Sequence, residues 1–86
     1  MMKRVLVYGM KDCGYCTTLK EKLNNLNVKY VNKDIHIYAD EYEKIYNELG
    51  TDLIPLVSVG GVWLLPEKDF TTIDECVEKI NNLIFN

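Results

Sequence analysis

Cys13 and Cys16 stand three residues apart at the seam between two periodicities, and that placement restricts the fold more than any other feature of the chain. Before them, Arg4 to Tyr8 is short, rich in valine and leucine and bounded by Gly9, which reads as a buried strand. From Cys13 to Leu26 the apolar positions Cys16, Leu19, Leu23 and Leu26 recur every three or four residues. That spacing predicts an amphipathic helix with Lys20, Glu21 and Lys22 turned to solvent, ended by Asn24, Asn25 and Asn27. A C-x-x-C pair therefore opens a helix directly after a strand.

The position carries chemistry. A helix N-terminus presents unpaired N–H groups and the positive end of the macrodipole, and both favour a thiolate at Cys13. Lys11 adds positive charge nearby, and Asp12 opposes it. Cys16 lies one turn further in, so its sulfur falls close to that of Cys13 and on the inward stripe. This order predicts an exposed nucleophile, Cys13, that forms a mixed disulfide, and a sheltered resolving thiol, Cys16, that releases the product. A zinc site would need four ligands, and only Cys76 and His36 remain to complete one, without a second C-x-x-C pair; no metal site is expected.

The rest of the chain completes a β-α-β-α-β-β-α pattern. Val28 to Val31 alternates as a second strand closing near Asp34, and Tyr38 to Leu49 reads as a second helix with Tyr42, Ile45, Tyr46 and Leu49 on its apolar stripe and Gly50 as its cap. Asp40, Glu41, Glu43 and Lys44 read as its solvated face. Leu56 to Val59 and Val62 to Leu65 read as strands joined by a two-residue turn at Gly60-Gly61. Thr72 and Glu75 predict a capping box for a last helix whose inner face carries Cys76, Val77, Ile80, Leu83 and Ile84. Cys76 reads as a small core thiol, and His36 as a loop or helix-entry residue. A βαβ start followed by an antiparallel hairpin means an α/β fold, a four-stranded mixed sheet flanked by three helices. Pro55 precedes the third strand, where either a cis bond after Ile54 or a trans proline at a strand start would fit.

Eighty-six residues suffice for one domain, residues 1–86. Net charge is -3, and the ten Lys and Arg residues form no basic run, which argues against a nucleic-acid partner. The apolar run after Lys3 and Arg4 is too short for a secretory or membrane-spanning segment, so no membrane is expected and the location expected is the cytoplasm, or that of the host for a viral chain. Three cysteines is an odd count, unlike a secreted disulfide scaffold.

With these features in place, the chain resembles a glutaredoxin, of the small bacterial and phage kind with two active cysteines. The resemblance is carried by Val5-Leu6-Val7-Tyr8, Cys13-Gly14-Tyr15-Cys16, Lys20 and Leu23, Tyr30 to Asp34, and Ile54-Pro55-Leu56-Val57 followed by Gly60. It covers essentially the whole length and implies a thioredoxin-like fold. It also implies that Pro55 is a cis-proline packed beside the cysteines. The backbone of Ile54 would pair with a bound glutathione or peptide as an added strand, Tyr15 would line the glutathione groove, and Lys11 would face the glycine carboxylate. The reaction implied is reduction of protein disulfides or glutathione mixed disulfides at the expense of glutathione, a co-substrate rather than a tightly bound cofactor. The working form implied is a monomer, and ribonucleotide reductase is a common client.

Two departures stand out. Gly14 occupies a position where most dithiol glutaredoxins carry proline, and some relatives with a small residue there hold a [2Fe-2S] cluster between two subunits with glutathione. Leu65-Pro66-Glu67-Lys68-Asp69 stands where the family usually has a glycine pair, a polar residue and Asp, so Asp69 is the candidate for that Asp. The second departure, with Trp63 in the strand after the hairpin, keeps open a resemblance to redoxins that are reduced by thioredoxin reductase and serve ribonucleotide reductase.

Overall fold

Alternation places Val5 and Val7 on one side of the first strand, β1 (Val5–Gly9), and Leu6 and Tyr8 on the other, and every later element adds to one of these two faces. The computed structural model describes residues 3–85. The remaining elements are α1 (Gly14–Asn25), β2 (Val31–Asp34), α2 (Ala39–Leu49), β3 (Leu56–Val59), β4 (Val62–Leu64) and α3 (Ile73–Ile84). The sheet order is β2-β1-β3-β4, with β1 and β2 parallel and the other two pairings antiparallel, as the sequence pattern predicts.

The larger core lies between the sheet and the α1–α3 layer. Val5, Val7, Val57 and Val59 point into it from the central strands, Leu19 and Leu23 from α1, and Cys76 and Ile80 from α3. The opposite face is smaller: Tyr8, Leu56 and Leu65 pack with Ile45 of α2, and Trp63 lies against the Tyr8 ring at a centroid distance of 5.8 Å.

Capping sets the element ends. Asn27 takes a left-handed φ of 57°, its N–H reaches Asn24 O at 3.1 Å, and the Val28 N–H reaches Leu23 O at 2.9 Å. This is a Schellman motif, closed by packing of Val28 near Leu23. It explains one departure from the sequence reading: β2 begins at Val31 rather than Val28, because Val28 is committed to ending α1. Gly50 ends α2 in the left-handed region, Gly60 and Gly61 hold the hairpin turn at φ 56° and 88°, and Thr72 and Glu75 form the reciprocal capping box on α3. β4 stops at Leu64, one residue short of the expected end, because the Leu65 N–H turns to the Asp69 carboxylate instead of a strand partner.

α2 departs from its expected pattern in two ways. Tyr46, expected on the buried stripe, is 42% exposed. Glu41, expected on the solvated face, accepts a hydrogen bond from the Tyr8 hydroxyl at 2.6 Å and pairs with Lys33 at 3.4 Å. The helix is rolled so that Glu41 reaches over the sheet edge to a buried phenol that needs an acceptor.

Candidate functional site

The site starts from the junction the sequence singled out. Cys13 is the N-cap of α1, with extended backbone at φ -93° and ψ 111°, and its Sγ accepts the Cys16 N–H at 3.2 Å. A sulfur thus takes the capping role that a Ser or Asp oxygen fills elsewhere. The Thr17 N–H and hydroxyl both donate to Cys13 O, at 3.1 Å and 3.2 Å, closing the first turn. The two sulfurs are paired, across a Cα–Cα distance of 5.2 Å that suits a disulfide. Their environments differ: Cys13 is half-buried at the helix tip, and Cys16 is fully buried.

Gly9 fixes the inner sulfur. A Cβ placed there would lie 2.7 Å from Cys16 Sγ, so only a residue without a side chain lets α1 settle this closely on the end of β1. In the sequence alone Gly9 marks only the end of a strand. Its signal, a glycine four residues before the pair at the end of a buried strand, becomes meaningful once the helix is known to fold back over it.

A cleft of about 160 Å³ reaches the C-x-x-C segment at Tyr15, between the two cysteines in sequence. Tyr15, Ile54 and Pro55 line it together, with Leu53 next to them. Tyr15 is 70% exposed, and the Ile54-Pro55 bond is cis. The remaining lining comes from the segment after β4 and the start of α3, chiefly Pro66, Glu67, Phe70 and Thr71, none of which the sequence reading assigned to a groove as such.

Two candidates fall elsewhere. Lys11 is exposed and lines a separate depression with Met10, Asp12, Asp34, His36 and Ile37. Asp69 is turned back into its own loop, where its Oδ2 accepts the Leu65 N–H at 2.8 Å and its N–H donates to Leu65 O at 2.8 Å. Its role in the described structure is to close that turn.

The other reactive groups stand apart from the cleft. Burial pushes the Cys76 thiol up to about 12, which keeps it protonated and unreactive. Burial, reinforced by the bond to Glu41, raises the Tyr8 phenol as well, and the Tyr8 hydroxyl holds the Glu41 carboxyl below the usual carboxylate range, with help from Lys33. The His36 N–H donates to Asp34 Oδ1 at 2.8 Å in a loop turn. No group of three or more potential metal ligands occurs among the described residues.

A sheet of order β2-β1-β3-β4 with a capped C-x-x-C pair at the start of α1 and a cis-proline before β3 defines the thioredoxin-like class. The glutaredoxin family model matches residues 5–64, well over half of the chain and inclusive of both cysteines and Pro55; the chain belongs to the glutaredoxin family. Human mitochondrial glutaredoxin-2 is 27% identical over 63 residues, which make up 70% of this chain and 38% of that protein, so the chain spans under two fifths of that relative's length. Among solved structures, a buckwheat glutaredoxin–glutathione complex aligns with a TM-score of 0.73 at 19% identity over 96% of this chain and 77% of that one. A thioredoxin-like protein aligns at 0.70 and 24% identity, over 93% and 99%. These two likenesses are of fold.

Proposed function

We propose that the chain is a dithiol thiol–disulfide oxidoreductase that reduces protein disulfides or glutathione mixed disulfides, with glutathione as its reductant. The Cys13 thiolate attacks one sulfur of the substrate disulfide, a new S–S bond forms to Cys13, and the other substrate sulfur leaves as a thiolate that takes up a proton. Cys16 then attacks Cys13 and expels the second substrate thiol. Two electrons pass to the substrate and a Cys13–Cys16 disulfide remains, which two glutathione molecules reduce while forming glutathione disulfide. The observation that carries this reading is the asymmetry of the pair: a half-exposed sulfur caps the helix and a fully buried one stands behind it.

The cleft supplies the docking strip. Tyr15, Ile54 and Pro55 line it, and the Ile54 backbone is the candidate edge for strand-like pairing with the substrate. The buckwheat protein of the same fold is a complex with glutathione, which supports glutathione as an occupant. Client proteins, with ribonucleotide reductase among those to be tried, would enter by the same strip, and a monomer in the reducing cytoplasm is the working form.

A second reading, a redoxin fed by thioredoxin reductase, is favoured by the loop after β4. The N–H groups of Leu65, Glu67 and Asp69 are spent on Asp69 Oδ2, Phe70 O and Leu65 O, and Pro66 has none, so little of that backbone is left to bind the glutamyl end of glutathione. A coupled assay separates the two. Turnover of a small mixed disulfide is followed with glutathione, glutathione reductase and NADPH, and in parallel with thioredoxin reductase and NADPH, for wild type and Cys13→Ser. Cys13-dependent turnover with glutathione is the expected result. Turnover with thioredoxin reductase alone supports the second reading. Turnover with neither rejects both, and visible absorbance in that protein would point to cluster carriage.

A further inference from the structure

The cleft that Tyr15 lines has one acidic or basic residue. Among the described residues that line it, that residue is Glu67; the rest are apolar or, at Tyr15 and Thr71, carry hydroxyls. The neighbouring Lys68 is exposed and does not line it, and Lys11 lies in a different depression. Glu67 therefore borders the cleft with no Lys or Arg among the lining residues to balance it.

Glu67 is also held there. Its φ is 71°, in the left-handed region where a glycine would sit without strain and an L side chain does not. The turn around it is closed by the Glu67 N–H on Phe70 O at 2.8 Å, and by Asp69, which meets both the N–H and the carbonyl of Leu65 at 2.8 Å. A well-bonded turn thus fixes an unfavourable backbone at the one position that brings a negative charge to the substrate cleft.

From this we infer that Glu67 is a specificity-determining residue that selects a cationic polypeptide segment around the substrate's disulfide over anionic glutathione. The inference rests on the dithiol exchange proposed above and names the substrate class for it. The occupant is an extended peptide with Lys or Arg beside its cysteine: its apolar parts meet Tyr15, Ile54 and Pro55, and its cation meets Glu67. Glutathione, with two carboxylates against one ammonium, meets the same carboxylate at a disadvantage. It remains a usable reductant, since exchange at sulfur does not depend on this contact.

The test is single-turnover exchange by pre-reduced protein, which requires no second enzyme. Mixed disulfides of one fluorogenic thiol are made with glutathione and with the blocked tripeptides Lys-Cys-Lys and Gln-Cys-Gln. Cys13 attacks the peptide sulfur and releases the fluorogenic thiol; Cys16 then displaces the peptide thiol, so the protein's own two electrons balance the reaction. Wild type, Glu67→Gln, Glu67→Lys and Cys13→Ser are compared, with thermal melts to establish that each is folded. The expected order in wild type is Lys-Cys-Lys, then Gln-Cys-Gln, then glutathione. Glu67→Gln lowers the ratio of rate constants for Lys-Cys-Lys over glutathione by about fivefold, the worth of one close charge pair in water, and Glu67→Lys lowers it further. About 0.5 M salt compresses the wild-type ratio and leaves that of Glu67→Gln nearly unmoved. A ratio that stays within about twofold in both variants overturns the inference while exchange itself stands. Absence of Cys13-dependent exchange with all three substrates overturns the exchange reading and this inference with it.

Discussion

Replacing Gly9 with alanine tests how the fold sets the resolving thiol. The added Cβ would lie 2.7 Å from Cys16 Sγ and 3.1 Å from Cys16 Cβ, where ordinary contact begins at 3.4 Å, so the sulfur or the helix must move by about 0.7 Å. Neither partner is free to give. Gly9 sits at the end of β1, in register with Asp34, and its carbonyl accepts the Ile35 N–H at 2.9 Å; Cys16 belongs to a helix anchored by Leu19 and Leu23, both fully buried. Overpacking at such a place costs about 1–3 kcal/mol. In a domain of this size that lowers Tm by about 5–15 °C. The chemical consequence is selective. Cys13 sits half-buried at the helix tip, away from the added methyl, so formation of the mixed disulfide continues. Release by Cys16 slows by about tenfold or more, because displacement of a reacting atom by about 1 Å can cost about a hundredfold. Stopped-flow exchange with reduced protein, with acid-quenched mass spectrometry to detect the trapped Cys13 mixed disulfide, separates the two steps. Wild-type Tm together with no accumulation of the mixed disulfide would refute the argument that Gly9 is there to admit Cys16.

Three further outcomes are expected. Gly14→Pro raises stability by about 0.4–1 kcal/mol, or Tm by about 2–5 °C in a melt, since Gly14 is the first helical residue, nothing lies within 4 Å of its Cβ position, and Cys13 before it is already extended; a lower Tm would contradict this. Tyr8→Phe costs about 1 kcal/mol at pH 7, less than the ~1.5–3 kcal/mol of a hydrogen bond to a charged group because solvent screens the partly exposed Glu41. Because the folded Glu41 carboxyl is held below its ordinary range, that contribution is complete above the unfolded value near pH ~4.3 and is lost as pH falls through the folded value, so urea melts of the two proteins should converge on acidification. Cys76, raised to about 12 and fully buried, should resist alkylation in the folded reduced protein while Cys13 reacts, with labelling at Cys76 appearing only on unfolding; mass spectrometry of the digested protein reads this directly.

Local signals were the legible ones. The C-x-x-C motif at a strand–helix seam, the Thr72–Glu75 box, the Gly60-Gly61 turn and the Gly50 cap each depend on residues close in sequence, and each appears in the structure at the expected place. Long-range partners were hidden. Nothing in the α2 sequence distinguishes Glu41 from the other acidic residues of that helix, since its role is defined by Tyr8, 33 residues away. Val28 reads as strand because valine favours strands, but its N–H is taken by Leu23 O in the turn that ends α1. The glutaredoxin resemblance put Tyr15, Ile54 and Pro55 on one groove and the structure gathers them there, but the other lining, from Pro66 to Thr71, follows a loop whose sequence departs from that resemblance.

That departure has a physical logic of its own. A glycine pair after the hairpin would offer free N–H donors and tolerate left-handed backbone; this chain keeps the left-handed turn but builds it from Pro66, Glu67 and Asp69. Asp69 supplies the acceptor that closes the turn, so the donors that a ligand would use are consumed internally. Glu67, where a glycine would carry no charge, is among the residues that line the cleft. The capped, paired cysteines on α1 draw on the close approach of Cys16 to Gly9 at the end of β1 and on the α1–α3 core, to which the loop adds only Phe70. On the reading proposed here, reactivity and selectivity draw on different residues: Gly9 and the start of α1 set the Cys13–Cys16 pair, and Glu67, in a turn closed by Asp69, sets the charge at the cleft.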